Sequence, residues 1–176
     1  MTLKIILFFT IVLSVSCTES KESPDLQKKR VIPQREELKI VSLNESEKLK
    51  GQLVYVPIYS SVYNEFEGNL LHMTGILSIR NISLKEEIII KSVDYYDTNG
   101  KLIKQFISQP FSLGKMSTKD FVIEESDLSG GTGANFLVEW TSKNKVAAPI
   151  MESVMLGSFG TKGFSFSSRG QEVEAH

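Results

Sequence analysis

Few residues in this 176-residue chain are equipped for chemistry, and their spacing narrows what that chemistry can be. There is one cysteine, Cys17, and there are two histidines, His72 and His176. A lone thiol forms no internal disulfide and builds no cysteine-based zinc site, so Cys17 has to be explained by its neighbours. Nucleophilic catalysis needs a serine or cysteine beside a base, but no Gly-x-Ser-x-Gly elbow occurs. The nearest stretch, Gly163-Phe164-Ser165-Phe166, lacks the closing glycine and reads as a strand. A single His72 on the polar side of a strand reads first as a surface residue. His72 with Met73, Met151 and Met155 is a soft-ligand set of the kind that holds Cu(I), yet flexible methionines at such places read better as core fillers. No cofactor and no metal are expected.

Binding chemistry has better candidates. Ser126-Asp127-Leu128-Ser129-Gly130-Gly131-Thr132-Gly133-Ala134-Asn135 is the densest polar loop, and glycines let backbone amides turn toward an anion or carbonyls toward a cation. It is no Walker loop, because no Gly-Lys-Ser/Thr follows and the next element is a strand; Asp127, Gly130 and Gly131 stand between a long structured turn and a ligand site. Glu124, Glu125, Asp127, Asp94 and Asp97 supply hard oxygens, but their spacing matches no calcium loop. Asp94 lies inside an apolar strand, where it either faces water or needs a partner such as Arg80 or Arg169. Tyr55, Tyr59 and Tyr63 recur at a spacing that puts them on one face of a strand, as sheet packing or as an amphipathic contact surface.

Cys17 follows a tripartite opening. Met1 to Lys4 carry one positive charge, Ile5 to Val15 form an eleven-residue apolar run, and small Ser16 precedes the cysteine. A membrane-spanning helix needs about 20 apolar residues, so this run reads as an export signal and not as an anchor. Leu13-Ser14-Val15-Ser16-Cys17 resembles a loose bacterial lipobox, with Ser14 where a strict one has leucine. That resemblance implies diacylglycerol on the Cys17 thiol, cleavage before it and acylation of the new amine. Several acyl chains on one residue give lasting membrane attachment, at about 0.8 kcal/mol per buried methylene. Thr18 after the cysteine resembles outer-membrane rather than inner-membrane retention.

Beyond residue 16 the chain carries 19 basic and 21 acidic residues, which leaves no electrostatic footprint for nucleic acid. The basic cluster Lys28-Lys29-Arg30 lies in a polar stretch that also holds Glu36 and Glu37, and reads as solvated linker. The expected division is therefore a signal over 1–16, a flexible tether over 17–36 and one domain over 37–176, large enough to fold on its own core.

The elements that position the candidates read as strands. Leu38 to Leu43 is a possible short strand and Asn44 to Lys50 a polar turn or short helix. Runs rich in β-branched and aromatic residues follow at Gln52–Ser60, Leu70–Asn81, Glu87–Tyr96, Leu102–Ile107, Thr118–Glu124, Ala134–Thr141, Met151–Gly157 and Gly163–Ser168. About eight strands imply an all-β fold, a single antiparallel β-sandwich expected to be immunoglobulin-like. Leu71, Met73, Leu77 and Ile79 alternate with His72, Thr74, Ser78 and Arg80, a core face against a solvent face. Phe136, Val138 and Trp140 share a face opposite Glu139 and Thr141, which makes Trp140 the expected central core aromatic. Asp97-Thr98-Asn99-Gly100 has the Asn-Gly pair that supplies positive φ in a tight hairpin. Pro57 lacks a donor and predicts an edge or bulged first strand.

Five ordered segments carry a family likeness: Gly51-Gln52-Leu53-Val54-Tyr55-Val56-Pro57-Ile58-Tyr59-Ser60, Leu77-Ser78-Ile79-Arg80-Asn81, Ser92-Val93-Asp94-Tyr95-Tyr96-Asp97, Gly130-Gly131-Thr132-Gly133-Ala134-Asn135-Phe136-Leu137-Val138-Glu139-Trp140 and Gly163-Phe164-Ser165-Phe166-Ser167-Ser168-Arg169-Gly170. Over residues of about 50–170 the chain resembles a bacterial exported family, domain of unknown function 3124. The resemblance implies export and a compact β domain, with no activity or substrate attached. The expectation is a lipid-anchored protein of the bacterial cell envelope that works as a binding or structural module, its partners the membrane and another envelope protein. The alternative is an envelope enzyme, or a metal- or small-ligand-binding protein, with its site around Asp94, Arg80 and His72.

Overall fold

The computed structural model describes residues 38–43, 49–64 and 68–176. Cys17, the expected signal and tether over 1–36, and 44–48 of the expected turn lie outside the described residues. Among the described residues thirteen strands follow one another: β1 Lys39–Ile40, β2 Lys50–Pro57, β3 Ser61–Tyr63, β4 Leu70–His72, β5 Thr74–Arg80, β6 Ile88–Tyr96, β7 Leu102–Gln105, β8 Phe111–Leu113, β9 Thr118–Ile123, β10 Asn135–Ser142, β11 Ile150–Phe159, β12 Lys162–Arg169 and β13 Gln171–Ala175. A seven-stranded sheet has the order β1-β8-β6-β10-β2-β13, with β7 also paired to β6. A four-stranded sheet has the order β12-β11-β5-β9, and β3 pairs with β4 alone. Every ladder is antiparallel, and the inner faces of the two larger sheets share one apolar core, so the fold is an all-β sandwich.

Each of the eight expected regions holds a strand, and the expected second one breaks in two at Met73. Its core parity survives the break: Met73, Leu77 and Ile79 are fully buried. Ser78 is buried as well, against expectation, because β5 runs between β11 and β9 and its outer face is flanked by Glu152 and Asp120. The centre of the core is an aromatic group. The rings of Tyr95 and Phe136 lie 5.1 Å apart, and Phe106 stands 5.5 Å from Phe136 and 5.5 Å from Phe121 on the facing sheet. Trp140 is buried at 5% exposure but sits toward the other end of β10, so Phe136 and not Trp140 is the central aromatic. Thr141, expected in solvent, is buried too; its hydroxyl donates to the Lys50 carbonyl at 3.0 Å, and its strand partner Gly51 lies beneath His176.

β2 is not an edge strand, since β10 and β13 flank it. Pro57 is tolerated because it closes β2 beyond the last β13 pairing, Gln171 with Tyr55, so its missing donor costs no ladder bond on that side. The β6–β7 hairpin falls at 97–101 as expected, with the Gly100 amide donating to the Asp97 carbonyl at 3.0 Å. Only Gly100 takes positive φ, at 77°, while Asn99 does not. This is a turn followed by a single left-handed residue, not a turn with two of them. A Cβ on Gly100 would meet nothing within 4 Å, so Gly100→Val acts through backbone strain alone. We expect about 1 kcal/mol or more of destabilisation; a denaturation midpoint equal to that of the parent protein would contradict it.

Candidate binding surface

The glycine loop between β9 and β10 is knitted into the sandwich by the Thr98 turn. The Thr98 amide and hydroxyl both donate to the Gly130 carbonyl, at 3.0 and 2.9 Å, and the Gly133 amide donates back to the same hydroxyl at 3.0 Å. The Gly131 carbonyl accepts from the amides of Ser60 and Ser61 and from the Ser60 hydroxyl. Close neighbours restrict Gly130 and Gly131. A Cβ on Gly130 would fall 1.8 Å from the Tyr95 hydroxyl, and one on Gly131, where φ is 74°, would fall 2.7 Å from Thr98 Oγ1. Tyr95 is fully buried and its hydroxyl makes no well-formed hydrogen bond among the described residues, with the Ser60 side chain as its polar neighbour; burial pushes the phenol up to about 12. Asp127, before the loop, caps its own turn by accepting from the Ser129 amide at 3.0 Å and from the Ser129 hydroxyl.

The structure does not bring Asp94, Arg80 and His72 together. Asp94 lies on the outer face of the seven-stranded sheet and accepts from the Gln105 side chain at 3.3 Å. Arg80 lies on the four-stranded sheet and pairs with Glu152 at 3.1 Å, while Arg169 stands opposite Glu152 in the β11–β12 ladder. His72 belongs to the two-stranded sheet, with its Nδ1 3.1 Å from Ser61 Oγ. That serine is 1% exposed and its amide is tied to the Gly131 carbonyl, so the contact holds two strands together and offers a substrate no accessible nucleophile. Met73, Met151 and Met155 are core residues. Among the described residues, no group of three or more His, Cys, Asp or Glu could hold a metal ion.

The tyrosine row is broken after Pro57. Tyr55 stays on the outer face of β2, in one cross-sheet row with Leu137 and Asp94. Tyr59 leaves the strand and packs against the core, its ring 5.7 Å from Phe166 and edge-on to it. Tyr63 moves to β3 and is 69% exposed. What Tyr59 joins was not foreseen. β11 pairs with β5 only as far as Leu156 and Thr74, and from Gly157 to Phe159 it pairs with β12 alone, so the β11–β12 hairpin runs on past its sheet. Leu156, Phe159 and Phe166 on this hairpin are all exposed, with Phe159 at 57%. A readable signal existed: Phe164 and Phe166 alternate with Ser165 and Ser167 directly after the glycine-rich turn at 157–163, an aromatic face on a strand that closes a hairpin.

A concavity runs between the 143–149 loop and the β2–β13 edge. It comprises adjoining grooves of about 180 and 300 Å³ that share Gln52 and Ala148; Trp140 and Lys145 line the first, Arg169 and Glu172 the second.

Fold and surface together define a class: an antiparallel two-sheet sandwich with an exposed aromatic hairpin at one edge. The family model described as protein of unknown function (DUF3124) matches residues 51–173, and the chain belongs to that family. No curated protein matches it. The crystal structure of Thermotoga maritima 1070 is similar at 12% identity and a TM-score of 0.43, over 68% of this chain and 92% of that one.

Proposed function

We propose that this chain is a lipid-anchored bacterial envelope protein whose sandwich domain serves as a binding or structural module, held through acylated Cys17 and in the outer rather than the inner membrane. The observation that carries the anchor is the position of the sole cysteine, one small residue after an eleven-residue apolar run. A polar stretch of twenty residues, 17–36, spans at most roughly 70 Å, so it lets the domain meet partners near the membrane surface and no farther. The module role is supported by the exposed Phe166 beside Tyr59, with exposed Phe159 on the same face of the hairpin, since clustered exposed apolar side chains are a contact-surface feature. Cys17→Ser is expected to release a soluble exported form or to leave uncleaved precursor. Unchanged mass and unchanged membrane fractionation of the variant would overturn the anchor.

A further inference from the structure

Sheet edges invite pairing with other chains, and proteins guard them with short strands, bulges and charges. Four edges of the two larger sheets are guarded in this way, and one of them, β7, is four residues long, carries Lys104 and has a shifted register. β1 is two residues long and includes Lys39; β13 has a register shift at Glu172/Glu174 and carries both those charges; β9 carries Lys119 and Asp120. β12 differs. It is eight residues long, among the described residues pairs only with β11 through an unbroken register, and between Lys162 and Arg169 holds nothing but glycine, serine and phenylalanine.

We infer that β12 pairs antiparallel with β12 of a second copy of this chain, about a two-fold axis through Ser165, joining two four-stranded sheets into one of eight. The geometry is restrictive. A two-fold axis normal to the sheet keeps inner faces inner, so opposed residues share parity and the axis must pass through a residue, not between two. With Ser165 on the axis, Phe164 faces Phe166 of the second copy twice over, Gly163 faces Ser167 and Lys162 faces Ser168. No cation then opposes a cation. The phenylalanines are the ones left partly uncovered: Phe166 is 37% exposed on the side of β12 that also bears Phe164, and Tyr59 packs edge-on against it. Pairing would therefore add two aromatic cross-strand contacts and cover the side of Phe166 that Tyr59 does not.

The inference rests on the reading of the Tyr59–Phe166 side as a contact surface and not on the anchor. A photo-crosslinking residue placed at Phe166 in the full chain, irradiated in the producing cells, separates the two readings. An adduct of twice the chain mass is expected. Adducts only of other masses would overturn self-pairing and leave the contact surface standing, and no adduct would overturn both. A second variant does not depend on Phe166. Directly opposed Cβ atoms in an antiparallel pair stand about 4.5–5.5 Å apart, close to disulfide reach, so Ser165→Cys should form a reducible dimer at least about tenfold more readily than Ser129→Cys. Equal dimer yields from the two cysteines would also overturn self-pairing.

Discussion

Trp140→Ala is expected to destabilise the domain by about 3–5 kcal/mol, a large share of the roughly 5–15 kcal/mol that holds a domain of this kind together. The ring is 5% exposed, belongs to the common core, and its indole nitrogen donates to Gln52 Oε1 at 3.2 Å. Truncation therefore removes a large apolar body, opens a cavity and leaves the Gln52 carbonyl without its donor. The groove beside Trp140 lets the neighbouring 144–148 loop settle into part of that space, which places the cost nearer 3 than 5 kcal/mol. Trp140 is the only tryptophan, so its emission reports the site directly: blue-shifted when folded, red-shifted on unfolding. Red-shifted, readily quenched emission in the folded protein would place the ring in water and contradict the assignment.

How much of this was legible in the sequence depended on whether a segment carries its own periodicity. β2, β6 and β10 are long and rich in β-branched and aromatic residues, which marks them as strands even though their apolar residues fall on both faces, as Ile88-Ile89-Ile90 and Phe136-Leu137-Val138 do. β8 and β13 have no such signal. Three residues at Phe111–Leu113 are too few for a period, and Gln171-Glu172-Val173-Glu174-Ala175 is exposed throughout; it is a strand because β2 offers it an edge. The tyrosine row failed for a related reason. A constant four-residue spacing keeps one face only while the strand continues, and Pro57 ends it between Tyr55 and Tyr59. At the candidate sites, residue types were legible but company was not. Asp94 was visible as a charge inside an apolar run, yet nothing local showed that Gln105, eleven residues on across the hairpin, would hold it. The glycine loop was visible as a run of glycines open to either a turn or a ligand reading, while the cause of its tightness, the Tyr95 hydroxyl and Thr98 more than thirty residues earlier, exists only in the fold.

That cause supplies a sharp test. Gly130→Ala puts a methyl group 1.8 Å from the Tyr95 hydroxyl oxygen and 2.8 Å from Ala134 Cβ, in a place where neither neighbour is a flexible end that can swing away. Tyr95 is fully buried and packed against Phe136, so the ring cannot retreat without disturbing the core aromatic group. Overpacking of this kind costs about 1–3 kcal/mol, and the closeness of the contact puts Gly130→Ala near the upper end. The partner substitution behaves oppositely. Tyr95→Phe deletes a buried hydroxyl that makes no well-formed hydrogen bond among the described residues, so alone it should be nearly neutral or slightly stabilising. In the double variant the nearest obstacle is gone, but the ring carbon that bore the hydroxyl still lies 2.8 Å from the new methyl group, so rescue is partial. Denaturant unfolding of the two single variants and the double variant should give a favourable coupling of about 1 kcal/mol or more between positions 95 and 130. Additive effects would mean that the loop yields as a unit, and the tightness at Gly130 would then not be what fixes the glycine there.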